Sequence, residues 1–112
     1  MRIISDFITT EELRSIAEAR FGNLIKVVID VDMGLISIDA DMHSDLEAML
    51  LQNGSRQESL WGINIYPEQP GEDMIEFDSM INVRPSQGNR SRSVEDERLR
   101  KKIIEIVMKR IR

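Results

Sequence analysis

Between Leu24 and Ala40 the apolar side chains recur at every second position, which limits this segment to extended strands. Val27, Ile29 and Val31 share one face of the first strand. After a Met-Gly turn, two isoleucines continue the alternation on the same face. Side chains alternate between the two faces of a strand, and a short turn joins antiparallel neighbours. The pattern predicts a β-hairpin with one buried face.

Three other segments have helical spacing. Each begins with a hydroxyl residue followed three positions later by an acid, the pattern of a capped helix start. Apolar residues at intervals of three and four then give each segment one buried stripe. We predict helices over residues 10–21, from residue 44 to a stop at residues 53–54, and after residue 93. The predicted caps are Thr9 with Glu12, Ser44 with Glu47, and Ser93 with Asp96.

A second hairpin follows the middle helix. Residues 61–66 and residues 75–84 both alternate between apolar and polar side chains, and residues 67–71 are rich in turn formers. If the two strands are to match on both faces, Asn64 lies opposite Glu76 and Ile63 opposite Phe77. We therefore predict a second antiparallel pair, with a long strand over residues 75–84.

These elements predict a fold of the α+β class. With a short strand at residues 3–4, the order is α-β-β-α-β-β-α. We expect a two-layer sandwich in which an antiparallel sheet of four to five strands carries the helices on one face and leaves the other face polar and in water. A chain of 112 residues with 41% apolar content suits one core. We predict a single domain over residues 1–112.

The composition excludes several kinds of site. There is no cysteine, which excludes disulfides, thiolate metal sites and cysteine nucleophiles. No apolar run approaches the roughly 18 residues of a membrane span, so we expect no membrane partner and a cytoplasmic location. We expect no cofactor and no metal. The acids Asp39, Asp41 and Asp45 alternate around His43 as metal ligands do, but short acidic runs before helices usually serve the helix dipole.

Charge is divided unevenly along the chain. Residues 1–83 carry 5 basic and 16 acidic side chains, whereas residues 84–112 carry 10 basic and 4 acidic ones. Such asymmetry is typical of a nucleic-acid surface on the basic part, or of a basic helix that lies against acidic groups of the same molecule or of a partner copy. The net charge of -5 and the five aromatic residues argue against a non-specific single-strand binder.

The chain from Arg84 to Arg92 reads Arg-Pro-Ser-Gln-Gly-Asn-Arg-Ser-Arg, with three guanidinium groups and no acid. Backbone donors in a Gly/Ser/Asn loop, a helix N-terminus and forked arginine donors are groups that hold phosphate or carboxylate. The loop therefore predicts binding of a phosphate-bearing or other anionic ligand, such as a nucleotide or nucleic acid. The alternative is an ordinary connection whose arginines pair with nearby acids. The predicted ligand-binding residues are Arg84, Ser86, Gly88, Asn89, Arg90, Ser91, Arg92 and Ser93, with Asn82, Asn64 and Tyr66 from the strands.

Two segments also carry a resemblance. Trp-Gly-Ile-Asn-Ile-Tyr-Pro at residues 61–67 and Phe-Asp-Ser-Met-Ile-Asn-Val-Arg-Pro-Ser-Gln-Gly-Asn-Arg-Ser-Arg at residues 77–92 are similar to a family of short prokaryotic proteins with no assigned function. The similarity covers most of the chain. It implies one domain and assigns no catalytic residue.

Two functions of other classes stay open. One is an enzyme that cleaves phosphodiesters, with Asp78 or Glu76 as acid-base residues and the arginines stabilising phosphate charge. The other is a homo-oligomeric interaction module without catalysis, in which the basic helix of one copy meets the acidic face of another.

Overall fold

The computed structural model describes all residues from 1 to 112. Its elements alternate between strands and helices, with short 3-10 turns in the connections. In chain order they are β1 (Arg2–Ile4), α1 (Thr10–Arg20), β2 (Ile25–Asp30), β3 (Leu35–Ile38), α2 (His43–Gln52), β4 (Leu60–Ile65), β5 (Ile75–Glu76) and α3 (Glu97–Arg110). None of the three helices is long and apolar enough to cross a membrane.

The five strands form one antiparallel sheet in the order β1-β3-β2-β4-β5. In the predicted hairpin, Ile29 of β2 lies opposite Ile36 of β3. Asn64 of β4 lies opposite Glu76 of β5, which is the predicted register. The α+β class, the antiparallel sheet and the order of elements are confirmed.

Helices cover both faces of the sheet. The first face, with Val27 and Ile63, belongs to a cluster of 17 buried apolar residues that includes side chains of α1 and α3. The second face holds a smaller cluster, in which Val28 and Leu60 pack against Leu46 of α2. The expectation that all helices lie on one face of a two-layer sandwich is therefore wrong for α2. Apolar residues at inward positions of the second face require a cover there.

Only one of the three predicted helix caps has the expected geometry. Thr9 accepts a hydrogen bond from the backbone N–H of Glu12 at 3.2 Å, as predicted. The Ser44 cap is wrong because α2 begins one residue earlier, and its N-cap, Met42, makes no side-chain hydrogen bond. The Ser93 cap is also wrong because Asp96 caps α3 by accepting from Arg98 N–H.

The predicted strand over residues 75–84 ends after Glu76. The side-chain amide of Asn82 takes the place that a strand residue would have filled. Its Oδ1 accepts from Gly62 N–H at 2.8 Å, and its Nδ2 donates to Gly62 O at 2.9 Å. Ser79 packs directly over Gly62, where a side chain would leave no room. The chain beyond β5 thus crosses the second face as a folded segment instead of extending the sheet.

Candidate functional site

The backbone donors of the loop between α3 and residue 84 hold an acid of the same chain. Glu95 Oε2 accepts from the N–H of Arg90 at 2.6 Å, from the N–H of Ser91 at 2.9 Å and from the Ser91 hydroxyl at 3.1 Å. These bonds, those from Ser91 and Arg90 N–H above all, lower the pKa of Glu95 because they favour the carboxylate. The donors of the loop thus hold an internal carboxylate. Binding of an external anion there remains a prediction.

Arg84 is used to hold the fold together. Its guanidinium stacks over the Trp61 ring at 4.3 Å from the ring centre. It donates to the backbone oxygens of Ile81 at 2.9 Å, Gln57 at 2.8 Å and Leu60. Burial lowers the pKa of Arg84, and no carboxylate pairs with it. Arg84, one of the predicted ligand-binding residues, thus joins β4 to its neighbouring turns.

The other predicted loop residues divide between internal contacts and exposure. Asn89 is buried and donates to the backbone oxygens of residues 82, 91 and 93. Ser93 Oγ accepts from Arg100 at 2.6 Å. Gly88 has a left-handed φ of 80° that ends a 3-10 turn, while Ser86 is exposed. Two asparagines, residues 82 and 89, thus act as structural amides.

The polar strand residues also contact one another. Glu76 Oε1 accepts from Asn64 Nδ2 at 2.9 Å and from the Tyr66 hydroxyl at 3.2 Å. Partial burial and the contact with Glu76 raise the pKa of Tyr66. Asp78 pairs with Arg92 at 2.6 Å. Both candidate catalytic acids therefore have partners within the chain. Asn64 Oδ1 is the one buried side-chain N or O atom without a partner.

A cleft of about 510 Å³ lies beside the loop, and its charge has the wrong sign for an anion. Its lining carries four acids and one basic residue, Arg56, which pairs with one of those acids, Glu58. The remaining acids leave the cleft negative, which disfavours phosphate or carboxylate. The charged lining residues are Asp32, Arg56, Glu58, Glu95 and Asp96.

A second cavity of about 170 Å³ has the opposite character. It opens on the second face of the sheet, where α2 begins, and its lining includes two basic residues, one histidine and two hydroxyls, with no acid. The first amides of a helix have no partner within the helix, and no side chain caps those of α2. The lining residues are Lys26, Met42, His43, Ser44, Ser79, Met80, Ile81 and Arg92.

The two cations of this cavity keep free donors. Lys26 makes no ion pair; its ammonium lies 5.3 Å from the centre of the Phe21 ring. Arg92 binds Asp78 through Nε, and its two terminal amino groups make no hydrogen bond within the chain. Two of the predicted arginines line a cavity with more basic than acidic residues. Arg92 lines this one, and Arg84 lines a more open one of about 580 Å³ with Ser86, Arg56 and Glu58, where its own donors are already bound to backbone oxygens.

His43 is the buried titratable group of the cavity, with 8% of its surface exposed. Its Nε2 lies 2.7 Å from the backbone oxygen of Ile63. A carbonyl oxygen can only accept, so Nε2 carries the proton and Nδ1 carries a lone pair in the neutral ring. Burial, followed by the nearby Lys26 and Arg92 charges, lowers the pKa of His43, against the backbone hydrogen bond and Asp78. The imidazole is neutral near pH 7.

Sequence reasoning did not assign His43 and Lys26 to a common site. In the sequence His43 stands among acids, yet Asp39 and Asp41 both bind Arg20, at 2.8 and 2.7 Å. No three His, Asp or Glu side chains lie close enough to share a metal ion. The available signal was Lys26, the one basic residue of the hairpin over residues 25–38.

The basic and acidic parts of the chain make little contact through ion pairs. Of the six ion pairs, only the one between Arg92 and Asp78 joins residues 84–112 to residues 1–83. The outward face of α3 therefore keeps four exposed, unpaired cations: Arg98, Lys101, Lys102 and Lys109.

The comparisons with known proteins identify a family but no activity. The model of the family DUF5674, described as a protein of unknown function, matches residues 2–110. The chain belongs to this family. No curated protein and no solved structure matches it significantly.

Proposed function

We propose that this member of the DUF5674 family binds a small oxyanion, a phosphate or the phosphate group of a larger ligand, in the cavity where α2 begins. One observation carries the proposal. The uncapped N-terminus of α2 faces a cavity that also receives Lys26 and Arg92 and contains no acid.

The electrostatics of this cavity favour an anion. The N-terminus of a helix carries about half a positive charge, and its free N–H groups point outward along the axis. Lys26 adds a full charge that no carboxylate neutralises, and the terminal amino groups of Arg92 add forked donors. Asp78 offsets part of the Arg92 charge from outside the lining. The net charge of Lys26, Arg92 and Asp78 near His43 is therefore still positive.

The size of the cavity sets the kind of ligand. A water molecule occupies about 30 Å³ of liquid, so 170 Å³ accommodates a tetrahedral oxyanion but not a whole nucleotide. Met42 and Met80 line the cavity and are 55% and 65% exposed, so they lie at its rim. A substituent on the anion would extend past these two side chains into solvent.

The experiment is a calorimetric titration of the full chain with inorganic phosphate. Replacing Lys26 by Gln removes one charge-assisted hydrogen bond, worth about 1.5–3 kcal/mol, so we expect the affinity to fall at least about tenfold. Arg92→Gln should also lower the affinity for phosphate. Both side chains are at least partly exposed, so the fold should survive.

Arg90→Gln is the matched control because Arg90 is an exposed cation two positions from Arg92 that does not line the cavity. We expect it to leave phosphate affinity unchanged. If Arg90→Gln abolishes binding and Lys26→Gln does not, the anion binds at the loop first indicated by the sequence, and the cavity is not the site.

A second candidate function rests on the four unpaired cations of α3. They favour an interaction module in which this face meets an acidic surface, either of a second copy or of a nucleic acid. Light scattering over a salt series tests the first version. An ionic oligomer should dissociate as salt rises, and a monomer at every salt concentration excludes it.

A further inference from the structure

Among the polar side chains that line the cavity, one carries a fixed hydrogen-bond acceptor. The α2 amides, the Lys26 ammonium and the Arg92 guanidinium have no lone pair to offer, and the hydroxyls of Ser44 and Ser79 can rotate to donate or accept. Nδ1 of His43 cannot change its role while the ring is neutral, because Nε2–H is held by Ile63 O.

Nδ1 also has no partner within the chain. It makes no intramolecular hydrogen bond, yet it is not among the buried side-chain atoms cut off from solvent without a partner. His43 is more than nine-tenths buried and lines the cavity. Because His43 lines the cavity, the cavity is the route by which a ligand would reach Nδ1 and its lone pair.

We propose that the cavity selects an oxyanion that still carries a proton, such as hydrogenphosphate, over one that is fully deprotonated, such as sulfate. This inference rests on the proposed function, because it concerns the same site. A protonated oxygen donates to Nδ1 while the other oxygens accept from the amides, Lys26 and Arg92. A sulfate oxygen would instead set its lone pair against that of Nδ1.

The cost of that mismatch sets the expected selectivity. A buried acceptor left without a donor loses a hydrogen bond and gains repulsion, which corresponds to roughly a ten- to hundredfold difference in affinity. The two ions have similar size and shape, so the positive lining does not separate them by itself. The difference comes from the one acceptor.

Acid should remove this selectivity. The charged groups around His43 are Lys26 from β2 and Asp78 and Arg92 from the segment after β5, with Asp45 on its own helix. Burial and the two cations lower the pKa of His43, so the ring stays neutral until the pH falls below the ordinary pKa of an imidazole. Once protonated, Nδ1 becomes a donor that can bind an oxygen of either ion, so the cavity no longer distinguishes phosphate from sulfate. Sulfate affinity should rise as pH falls, while phosphate affinity should not follow the same curve.

His43 is the only histidine, so its ring signals are unambiguous in an NMR spectrum. In the unmodified chain at about pH 8, where an imidazole is neutral, the ring ¹⁵N shifts should show a proton on Nε2 and none on Nδ1. Phosphate should shift the Nδ1 signal as a hydrogen-bond donor does. A proton found on Nδ1 in the free protein overturns the inference without any substitution.

Calorimetry with phosphate and sulfate at the same pH supplies the second test. We expect phosphate to bind at least about tenfold more tightly. His43→Gln, whose amide can donate as well as accept, should bring the two affinities together while thermal unfolding checks that the variant folds. Equal affinities in the unmodified chain, both lost in Lys26→Gln, overturn the selectivity and leave the proposed function standing. If neither ion binds, both proposals fail.

Discussion

Replacing Asn82 by Ala should remove a side chain that stands in for a missing strand. Asn82 is fully buried and makes three hydrogen bonds, two with the backbone of Gly62 and one to the backbone oxygen of Arg92 at 2.9 Å. Alanine leaves the N–H and the carbonyl oxygen of Gly62 without partners, whereas Arg92 O keeps a hydrogen bond from Ser79 N–H at 3.0 Å. Each buried group that loses its partner costs about 1–3 kcal/mol. We expect the free energy of unfolding to fall by about 3–5 kcal/mol, with water entering the gap setting the lower end.

The measurement is chemical denaturation of both proteins with thermal unfolding as a second probe. For a domain of about this size, 1 kcal/mol corresponds to roughly 4–8 °C, so the melting temperature should fall by at least about 10 °C. Asn23→Ala, at an exposed position in the loop before β2, is the matched control and should change stability by less than about 0.5 kcal/mol.

Two further observations separate this explanation from a general packing defect. The amide proton of Gly62 should exchange faster in Asn82→Ala. Asn82→Asp keeps an acceptor for Gly62 N–H but turns a carboxylate oxygen toward two carbonyl oxygens, so its carboxyl pKa should be raised. Its stability should therefore increase as the pH falls through that pKa. A loss below about 1 kcal/mol in Asn82→Ala would refute the role of Asn82 as a strand substitute.

Two other substitutions test the local geometry. In Gly62→Ala the new Cβ would lie 2.5 Å from Ser79 Cβ, so we expect the free energy of unfolding, measured by denaturation, to fall by about 1–3 kcal/mol. Combining Gly62→Ala with Ser79→Gly should recover part of that loss. If stability does not recover, the strain lies elsewhere. Glu95→Gln should be less stable than the unmodified chain above the ordinary carboxyl pKa, because the folded-state pKa of Glu95 is lowered. That difference should vanish as the pH falls through the lowered value, and a pH-independent difference would contradict the carboxylate contacts.

The fold could be predicted where one local pattern decided the structure. The alternation in β2 and β3 determined the hairpin and the face that packs against α1 and α3, and the matching of two alternating segments gave the register of Asn64 against Glu76. The predictions that failed concern segments whose local sequence fits more than one structure equally well. Val28 and Leu60 look like ordinary strand residues, and only the folded sheet shows that they need α2 as a cover.

The long strand over residues 75–84 failed because alternation does not distinguish a strand from a folded segment that crosses a sheet. Its pattern of apolar and polar residues continues past Glu76 without a break. What ends the strand is a contact between residues 20 positions apart, the amide of Asn82 on Gly62. A glycine opposite an asparagine is visible in the sequence only after the pairing of β4 with β5 is known.

The candidate site shows the same limit in its electrostatics. A loop rich in donors predicts an oxyanion but does not specify whose oxyanion it holds. Glu95 lies within five residues of Arg90, so its effective concentration at the loop is in the millimolar range or above, as for any short tether. An external anion must displace it, and the neighbouring cleft opposes that anion with further acids. At α2, in contrast, no side chain caps the helix N-terminus, and the charged side chains that line the cavity are Lys26 and Arg92, with Asp45 of the first turn outside the lining. An anion in solution therefore meets less internal competition at α2 than at the loop, although the loop has more arginines.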